Sequence, residues 1–236
     1  MKKEKRLIIL SGAGLSAESG IQTFRDDNGL WHNHDVEQIC NIRTWKNNFK
    51  QVHNFYNQRR NDLKNKKPNK MHYQIAQWQQ EYKNNCIIIT QNIDDLLEKA
   101  GCKNVIHLHG TLKKVYCTEC FNEIDIEYQS YDFKKCNKCN SEWIKPSIIF
   151  FGEQAPLYET LYEVFNSINK DDIVLIIGTS GAVINVNYLV SNKSFNILNN
   201  LHDEIYINEK LFDAIFYEKA TDAASKIDQL IKEKMN

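Results

Sequence analysis

Net charge, long apolar runs and arginine are all scarce in this chain of 236 residues. Its 30 cationic side chains balance 30 anionic ones, which argues against a broad electrostatic grip on nucleic acid or on an anionic membrane surface. The longest apolar runs, such as Ile173-Val174-Leu175-Ile176-Ile177, have the length of a strand and fall far short of the roughly 20 residues that a membrane span needs. At the start, a basic lead is followed by only Leu7, Ile8, Ile9 and Leu10 before Ser11 and Gly12. A secretory signal needs a longer apolar stretch and a cleavage site, so a cytoplasmic protein opening directly on a strand is expected. Internal repeats and flexible linkers are also missing, and the composition is not that of a disordered chain. Of the 30 cations only five are Arg. Against a Lys background, an arginine stands out as a choice of its planar fork of donors.

What is present fits one large domain, or one domain with a small insert: 42% of the residues are hydrophobic and 25% charged, at a length that buries a substantial core. Short β-rich runs recur at 7–10, 86–90, 105–108, 148–151, 173–177, 195–198 and 205–207. Strands separated by helical stretches predict an α/β fold with a parallel sheet. Helices are expected over 156–168 and 221–234, the second opening on a Thr221 cap, and a long helical region over about 36–83. The division expected is a Rossmann-like part from about 1–35, 84–112 and 145–236. A smaller module would come from two inserts, one helical over about 36–83 and one over about 113–144.

The second insert carries the clearest spacing. Cys117-x2-Cys120 and Cys136-x2-Cys139 are fifteen residues apart, the pattern of a zinc ribbon. Each pair forms a tight knuckle, and four thiolates close a tetrahedron around one ion. No coordination position is left for water, so the zinc is expected to be structural, the alternative being a pair of disulfides, with Cys40, Cys86 and Cys102 as reduced thiols rather than nucleophiles. Zinc ribbons also bind nucleic acid, but here Glu123, Asp125, Glu127 and Asp132 outnumber Lys134 and Lys135, and an acidic surface repels phosphates. Neither nucleic acid nor a membrane is an expected partner, and the chain is expected to act as a monomer.

After the first strand, Gly12-x-Gly14-x-x-Ala17 fits the dinucleotide fingerprint, in which glycines let the backbone approach a pyrophosphate. Taken alone that pattern is weak, because a glycine-bearing turn also occurs without any ligand. The acidic second strand of an ordinary dehydrogenase does not follow. The chain runs instead through Phe24, Arg25, Leu30 and Trp31, which suggests a loop closing over the cofactor.

Three more stretches lie at the carboxyl ends of predicted strands, where open α/β sheets build their sites: Thr90-Gln91-Asn92-Ile93-Asp94, His107-Leu108-His109-Gly110 and Gly178-Thr179-Ser180. Together with Gly-Ala-Gly-Leu-Ser-Ala-Glu-Ser-Gly-Ile and the four cysteines, they make nearly the whole chain resemble the sirtuins, the NAD-dependent protein-lysine deacylases. The resemblance implies that Gly12, Ala13 and Gly14 cradle the NAD pyrophosphate and that Phe24 and Arg25 belong to the flexible cofactor loop. Gln91, Asn92 and Asp94 would line the nicotinamide and ribose region, with Asn92 also a catalytic residue. Gly178, Thr179 and Ser180 would contact phosphate and ribose, Asn196 the adenosine ribose and Ala220 the adenine end. His109, the histidine before the motif glycine, would be the catalytic base, and zinc would take no part in the reaction.

The same resemblance bears on substrate. Phe49, Val52, Tyr56 and Leu63 share a helical stripe with Arg59, and an arginine on an apolar face needs an anionic partner. Tyr56-x-x-Arg59 resembles the pair with which class III sirtuins recognise the carboxylate of succinyl-, malonyl- or glutaryl-lysine. The alternative is a local ion pair for Arg59 and simple packing for Tyr56. Phe151, Gly152 and Glu153 fall in a stretch resembling the one that pairs with substrate backbone as an added strand. Acyl-lysine proteins or peptides are therefore the expected substrates, and acetyl need not be excluded. Gln22, Asp95, the Lys145-Pro146-Ser147 stretch and the residues after Asn196 depart from the family pattern. They keep open an ADP-ribosyltransferase or NAD hydrolase, or an NAD-responsive binding module without turnover.

Overall fold

A computed structural model describes residues 5–22, 36–190 and 194–235 of the chain. The loop with Phe24, Arg25, Leu30 and Trp31 lies outside the described residues. In chain order the elements are β1 (Leu7–Ser11), α1 (Gly14–Ala17), α2 (Val36–Ile39), α3 (Phe49–Lys64), α4 (Lys70–Tyr82), β2 (Cys86–Thr90), α5 (Leu96–Ala100) and β3 (Ile106–His107). There follow β4 (Gly110–Cys117), β5 (Glu123–Asp125), β6 (Ile144–Ile148), α6 (Leu157–Asn166), β7 (Ile173–Ile177), β8 (Phe195–Asn200), β9 (Ala214–Tyr217) and α7 (Ala220–Met235). Among the described residues no helix is long and apolar enough to cross a membrane.

Six strands form one all-parallel sheet in the order β3-β2-β1-β7-β8-β9. The central strands are continuous apolar runs because both of their faces are covered. Leu7 and Ile9 pack on one side with Met71, Ile75 and Trp78 of α4 and Ile227 and Ile231 of α7. Ile8 and Leu10 point to the other face, against Leu161 and Phe165 of α6, as the two-residue period of a strand requires. The α/β reading of the sequence therefore holds, and the order in which strands are added reverses between β1 and β7, where such sheets place their sites.

Two predicted strands are corrected. Residues 205–207 form a turn in which Ile205 is 90% exposed, and the edge strand is β9, which aligns Ala214 with Ile197. The run at 148–151 is shared: β6 ends at Ile148, and Phe151 makes an isolated parallel bridge with Asn41. Helix α7 starts one residue early, at Ala220, so Thr221 is not its cap. Instead the Glu18 carboxylate accepts from the Thr221 backbone N–H at 3.0 Å and from its hydroxyl at 2.7 Å, placing a negative group on the positive end of α7.

A second, antiparallel sheet of order β5-β4-β6 carries the cysteines. Its two knuckles are built alike. The Cys117 carbonyl accepts from Phe121 N–H and the Cys136 carbonyl from Asn140 N–H, both at 2.9 Å. Phe121 and Asn140 each adopt a left-handed backbone, φ 56° and 60°. All four sulfurs lie within 4.8 Å of one another, with Cys117–Cys139 and Cys120–Cys136 both at 3.5 Å. Four ligands at about 2.3 Å from a tetrahedral centre stand ~3.8 Å apart, so this spacing fits zinc. The backbone N–H groups of Cys139 and Lys138 draw the Cys136 thiol down to about 6. Cys139 is pushed up to about 12: the Ser141 N–H favours its thiolate, but burial and the neighbouring sulfurs outweigh it. Four thiols this close ionise together only around a cation, and the cluster fits a structural zinc. Cys136→Ser, or chelation of the wild type, should release one zinc per chain and lower the thermal midpoint by roughly 5 °C or more. Metal analysis with a melting curve checks this, and an unchanged midpoint would remove the structural role.

Candidate active site

Because the main sheet is parallel, the segments following β1, β2, β7 and β8 leave it at one edge: Ser11 lies opposite Thr90 and Ile177, and Ile177 opposite Asn199. The turn after β1 rests on the turn after β7. Gly12 N–H donates to the Ile177 carbonyl at 2.9 Å and Gly14 N–H to the Gly178 carbonyl at 2.8 Å. A Cβ on Gly12 would stand 2.6 Å from the Gly178 oxygen, and one on Gly178, whose φ is +63°, would stand 2.3 Å from Leu15 N. The glycines are thus required by the approach of two turns. Of the three amides in Gly12-Ala13-Gly14, that of Ala13 is the one without a bond among the described residues.

The segment after β2 is laid across this edge by its own polar groups. Gln91 donates from Nε2 to Thr179 Oγ1 at 3.0 Å, linking the turns after β2 and β7. Asn92 donates from Nδ2 to Ser16 Oγ at 3.1 Å, and Ser16 donates to Asp94 Oδ2 at 3.0 Å. Burial raises the Asp94 pKa, opposed by the Leu96 N–H and the Ser16 hydroxyl. From β3 and beyond, Leu108 N–H reaches the Thr90 carbonyl at 2.9 Å, His107 Nδ1 stands 2.9 Å from the Asn92 carbonyl and His109 Nδ1 3.0 Å from the Gln91 carbonyl.

His109 therefore has a fixed tautomer. A carbonyl oxygen only accepts, so Nδ1 carries the hydrogen and Nε2 the basic lone pair. Burial lowers its pKa below 6.5, partly offset by the Gln91 carbonyl, which leaves a neutral ring at neutral pH. The Tyr158 hydroxyl, on the first turn of α6, lies 2.8 Å from Nε2 and donates to it. Sequence reading passed over Tyr158, since nothing in a helix's first turn marks it as facing a histidine 49 positions away.

The structure brings Gly12, Ala13, Gly14, Gln91, Asn92, Asp94, Gly178 and Thr179 to this edge, with Ser180 next in the same turn. Asn196 is a correction. It pairs with Val174 near the start of β8, and its Nδ2 donates to the Leu211 carbonyl at 2.8 Å while Ser194 donates to its Oδ1 at 2.7 Å. The asparagines at the carboxyl end are Asn199 and Asn200. Asn200 accepts from Thr179 N–H at 3.1 Å and donates to the Thr179 carbonyl at 2.9 Å. Asn199 holds the carbonyls of Phe216 and Glu218, just before α7 and Ala220. Ser16 was also passed over, although it sits inside the glycine-rich stretch.

On the helical side, Tyr56 is buried, donates to Cys40 Sγ at 3.5 Å and stacks on Phe150. Arg59 lies at the edge of the α3 stripe with its side chain 20% exposed, 3.8 Å from Asp62 and over the Phe55 ring. Its buried Nε has no partner among the described residues. The arginine at the centre of the stripe is Arg60, fully buried, donating to the Leu112 carbonyl at 2.5 Å and to Asn57 Oδ1 at 2.6 Å. Phe151 and Gly152 are exposed, but Phe151 N–H and C=O are bonded to Cys40 and Ile42. Glu153 pairs with the buried Lys145 at 2.9 Å and accepts from Phe150 N–H at 2.5 Å, so its carboxylate is used within the fold.

The Sir2 family profile matches residues 12–185. A protein of Helicobacter hepaticus named NAD-dependent protein deacylase is 41% identical over 249 aligned positions, covering 97% of this chain and 98% of that one. One of Campylobacter jejuni with the same name is 44% identical over 223 positions, covering 94% of each. A solved Sir2 homologue in complex with NAD superposes with a TM-score of 0.85 at 30% identity, covering 99% of this chain and 92% of that one. The profile match over most of the chain and these likenesses to proteins of nearly the same length place the protein in the Sir2 family.

Proposed function

We propose that this chain is an NAD-dependent protein-lysine deacylase that prefers acidic acyl groups, succinyl or malonyl, while retaining acetyl as a substrate. The products are nicotinamide, O-acyl-ADP-ribose and free lysine. The observation that carries the reading is His109, held as a neutral base by the Gln91 carbonyl at the edge where the glycine turns meet. Relatives over the full chain length named for the same activity support it.

NAD supplies a ribose carbon that accepts the acyl oxygen as nicotinamide departs. The chain's part is positioning and proton transfer, since an amide oxygen is a poor nucleophile and close placement supplies much of the rate. Ala13 offers its amide N–H to a phosphate, the glycines keep side chains out of the way, and Thr179 and Gln91 border the ribose. His109 Nε2 takes the proton of a ribose hydroxyl, which must occupy the place held by the Tyr158 hydroxyl in the free protein, because the ring offers one lone pair. Phe24 and Arg25 close over the cofactor, and Phe151 and Gly152 receive the peptide. The catalytic unit is one domain, with a Rossmann-like part over about 1–35, 84–112 and 145–236 and a small module over about 36–83 and 113–144. It works in the cytoplasm on acylated proteins.

The acyl preference rests on unused bonding capacity. Among the described residues Arg59 has an unpartnered Nε and one long ionic contact, to Asp62, and the hydrogen-bond partner of the Tyr56 hydroxyl is a weakly accepting thiol. A substrate carboxylate satisfies the guanidinium better than either.

With NAD and a succinyl-lysine peptide, O-succinyl-ADP-ribose should form, and His109→Ala should cost roughly 10²–10⁴-fold in kcat. Labelled ADP-ribose on protein, or free and without acyl, would mean a transferase or hydrolase instead. Arg59→Met should reduce kcat/KM for succinyl-lysine by roughly 10- to 100-fold and leave acetyl-lysine nearly unaffected; equal losses on both would remove the carboxylate-binding role. Because the neutral ring is the active form, kcat/KM should rise with pH along a limb centred below 6.5, the ordinary histidine value from which burial lowers His109. A limb centred above that value would contradict the environment described for His109.

A further inference from the structure

His107 stands two residues before His109 and reads the same loop, but its surroundings are of the opposite kind. Its Nδ1 lies 2.9 Å from the Asn92 carbonyl and its Nε2 2.8 Å from Glu98 Oε1. Both partners only accept. A neutral imidazole has one N–H and one lone pair, so one of these contacts would set lone pair against lone pair. The imidazolium donates to both. Burial opposes the charge, yet the bond and attraction of Glu98, the Asn92 carbonyl and Asp94 carry the pKa above 6.5. The titratable groups facing the ring are Glu98 from α5 and Asp94 from the loop after β2. The nearest α5 cation, Lys99, is turned to Asp95 and to the carbonyls of Leu63 and Lys66.

We infer that His107 is a positioning residue that acts as an imidazolium, fastening the Asn92 carbonyl to α5 and so holding the loop that carries Gln91, Asn92 and Asp94. The importance of that loop rests on the deacylase reading above. Two of its successive carbonyls are gripped, Gln91 by a neutral histidine and Asn92 by a charged one. Asn92 passes the constraint on through Ser16 to Asp94. When His107 loses its proton, one of the two bonds must break, and the loop is released from either α5 or the strand end. The sign follows: the clamp is intact below the raised pKa of His107 and lost as pH rises through it. Activity should then be bell-shaped, with an acid limb from His109 and an alkaline limb from His107.

The test uses the full-length, zinc-loaded protein with labelled histidines, in wild type, Glu98→Gln and His107→Gln forms. Without substrate, NMR titration should find His107 charged on both nitrogens at pH 7, titrating above His109. In Glu98→Gln the His107 midpoint should move to lower pH while that of His109 stays. In kcat/KM profiles the alkaline limb should move down with it in Glu98→Gln, leaving the acid limb in place. His107→Gln should lose the limb and about tenfold in kcat at pH 7. A His107 that is neutral at pH 7, or an alkaline limb that both variants leave where it was, overturns the proposal. The titration needs no turnover, so a protein inert towards acyl-lysine would remove the deacylase reading while the ionisation of His107 is still decided. Should His107→Gln fail to fold, Glu98→Gln carries both readouts alone.

Discussion

Two strand ends meet in this protein with no room for a side chain between them. The turn after β1 donates from Gly12 and Gly14 to carbonyls at the end of β7, and a Cβ at Gly12, Gly14 or Gly178 would fall within 2.7 Å of backbone atoms. Everything polar at this edge takes its place from that contact. Thr179 follows Gly178 and is gripped from β8 by Asn200 and from the β2 side by Gln91. Ser16 lies in α1, directly after the first turn, and holds Asn92 and Asp94. The glycines thus have a structural reason to be there whether or not a phosphate comes, and any role towards NAD is laid over that requirement.

The smaller sheet and helix α3 solve a different problem, because they have less apolar surface to share. Part of their interior is made of cations set on carbonyl oxygens and rings. Arg60 is clamped to Leu112 and Asn57, and Lys145 lies 3.7 Å over the Phe150 ring while pairing with Glu153. Burial pulls the Arg60 pKa down to about 10, which measures how much solvation it has given up. Such groups are costly unless paired, and here their partners fix the helix against β4 and the segment around Phe150. The smaller sheet and helix α3 are held by these clamps together with the four-cysteine knuckles.

Much of this could be read from the sequence, and the failures share one physical cause. The runs at 7–10, 86–90 and 173–177 are buried on both faces, so local composition alone marks them. Cys117, Cys120, Cys136 and Cys139 carry their geometry in their spacing. Asn196 was misplaced because Phe195-Asn196-Ile197-Leu198-Asn199-Asn200 holds three asparagines, and which of them reaches the site depends on where the neighbouring strand stops. Register against β7 decides it, and register is a property of two segments. The same holds for Ile205, read as a strand though no partner lies beside it, and for Tyr158, which meets His109 only through the packing of α6. Arg59 and Arg60 are adjacent on one helix, and a shift of 100° per residue turns the edge of a stripe into its centre.

The polar groups at the sheet edge bond to one another in the free protein: Gln91 to Thr179, Asn92 to Ser16, Thr179 to Asn200 and Tyr158 to His109. A dinucleotide arriving there exchanges hydrogen bonds more than it adds them, and exchanged bonds contribute little net affinity. The favourable free energy must then come from groups left without a partner among the described residues, such as the Ala13 amide, and from apolar area covered on binding. What the internal network contributes is geometry. Side chains already locked by their neighbours lose little freedom on binding and hold the reacting atoms in place. The edge of the sheet is thus built for orientation, its side chains already held by one another before any ligand arrives.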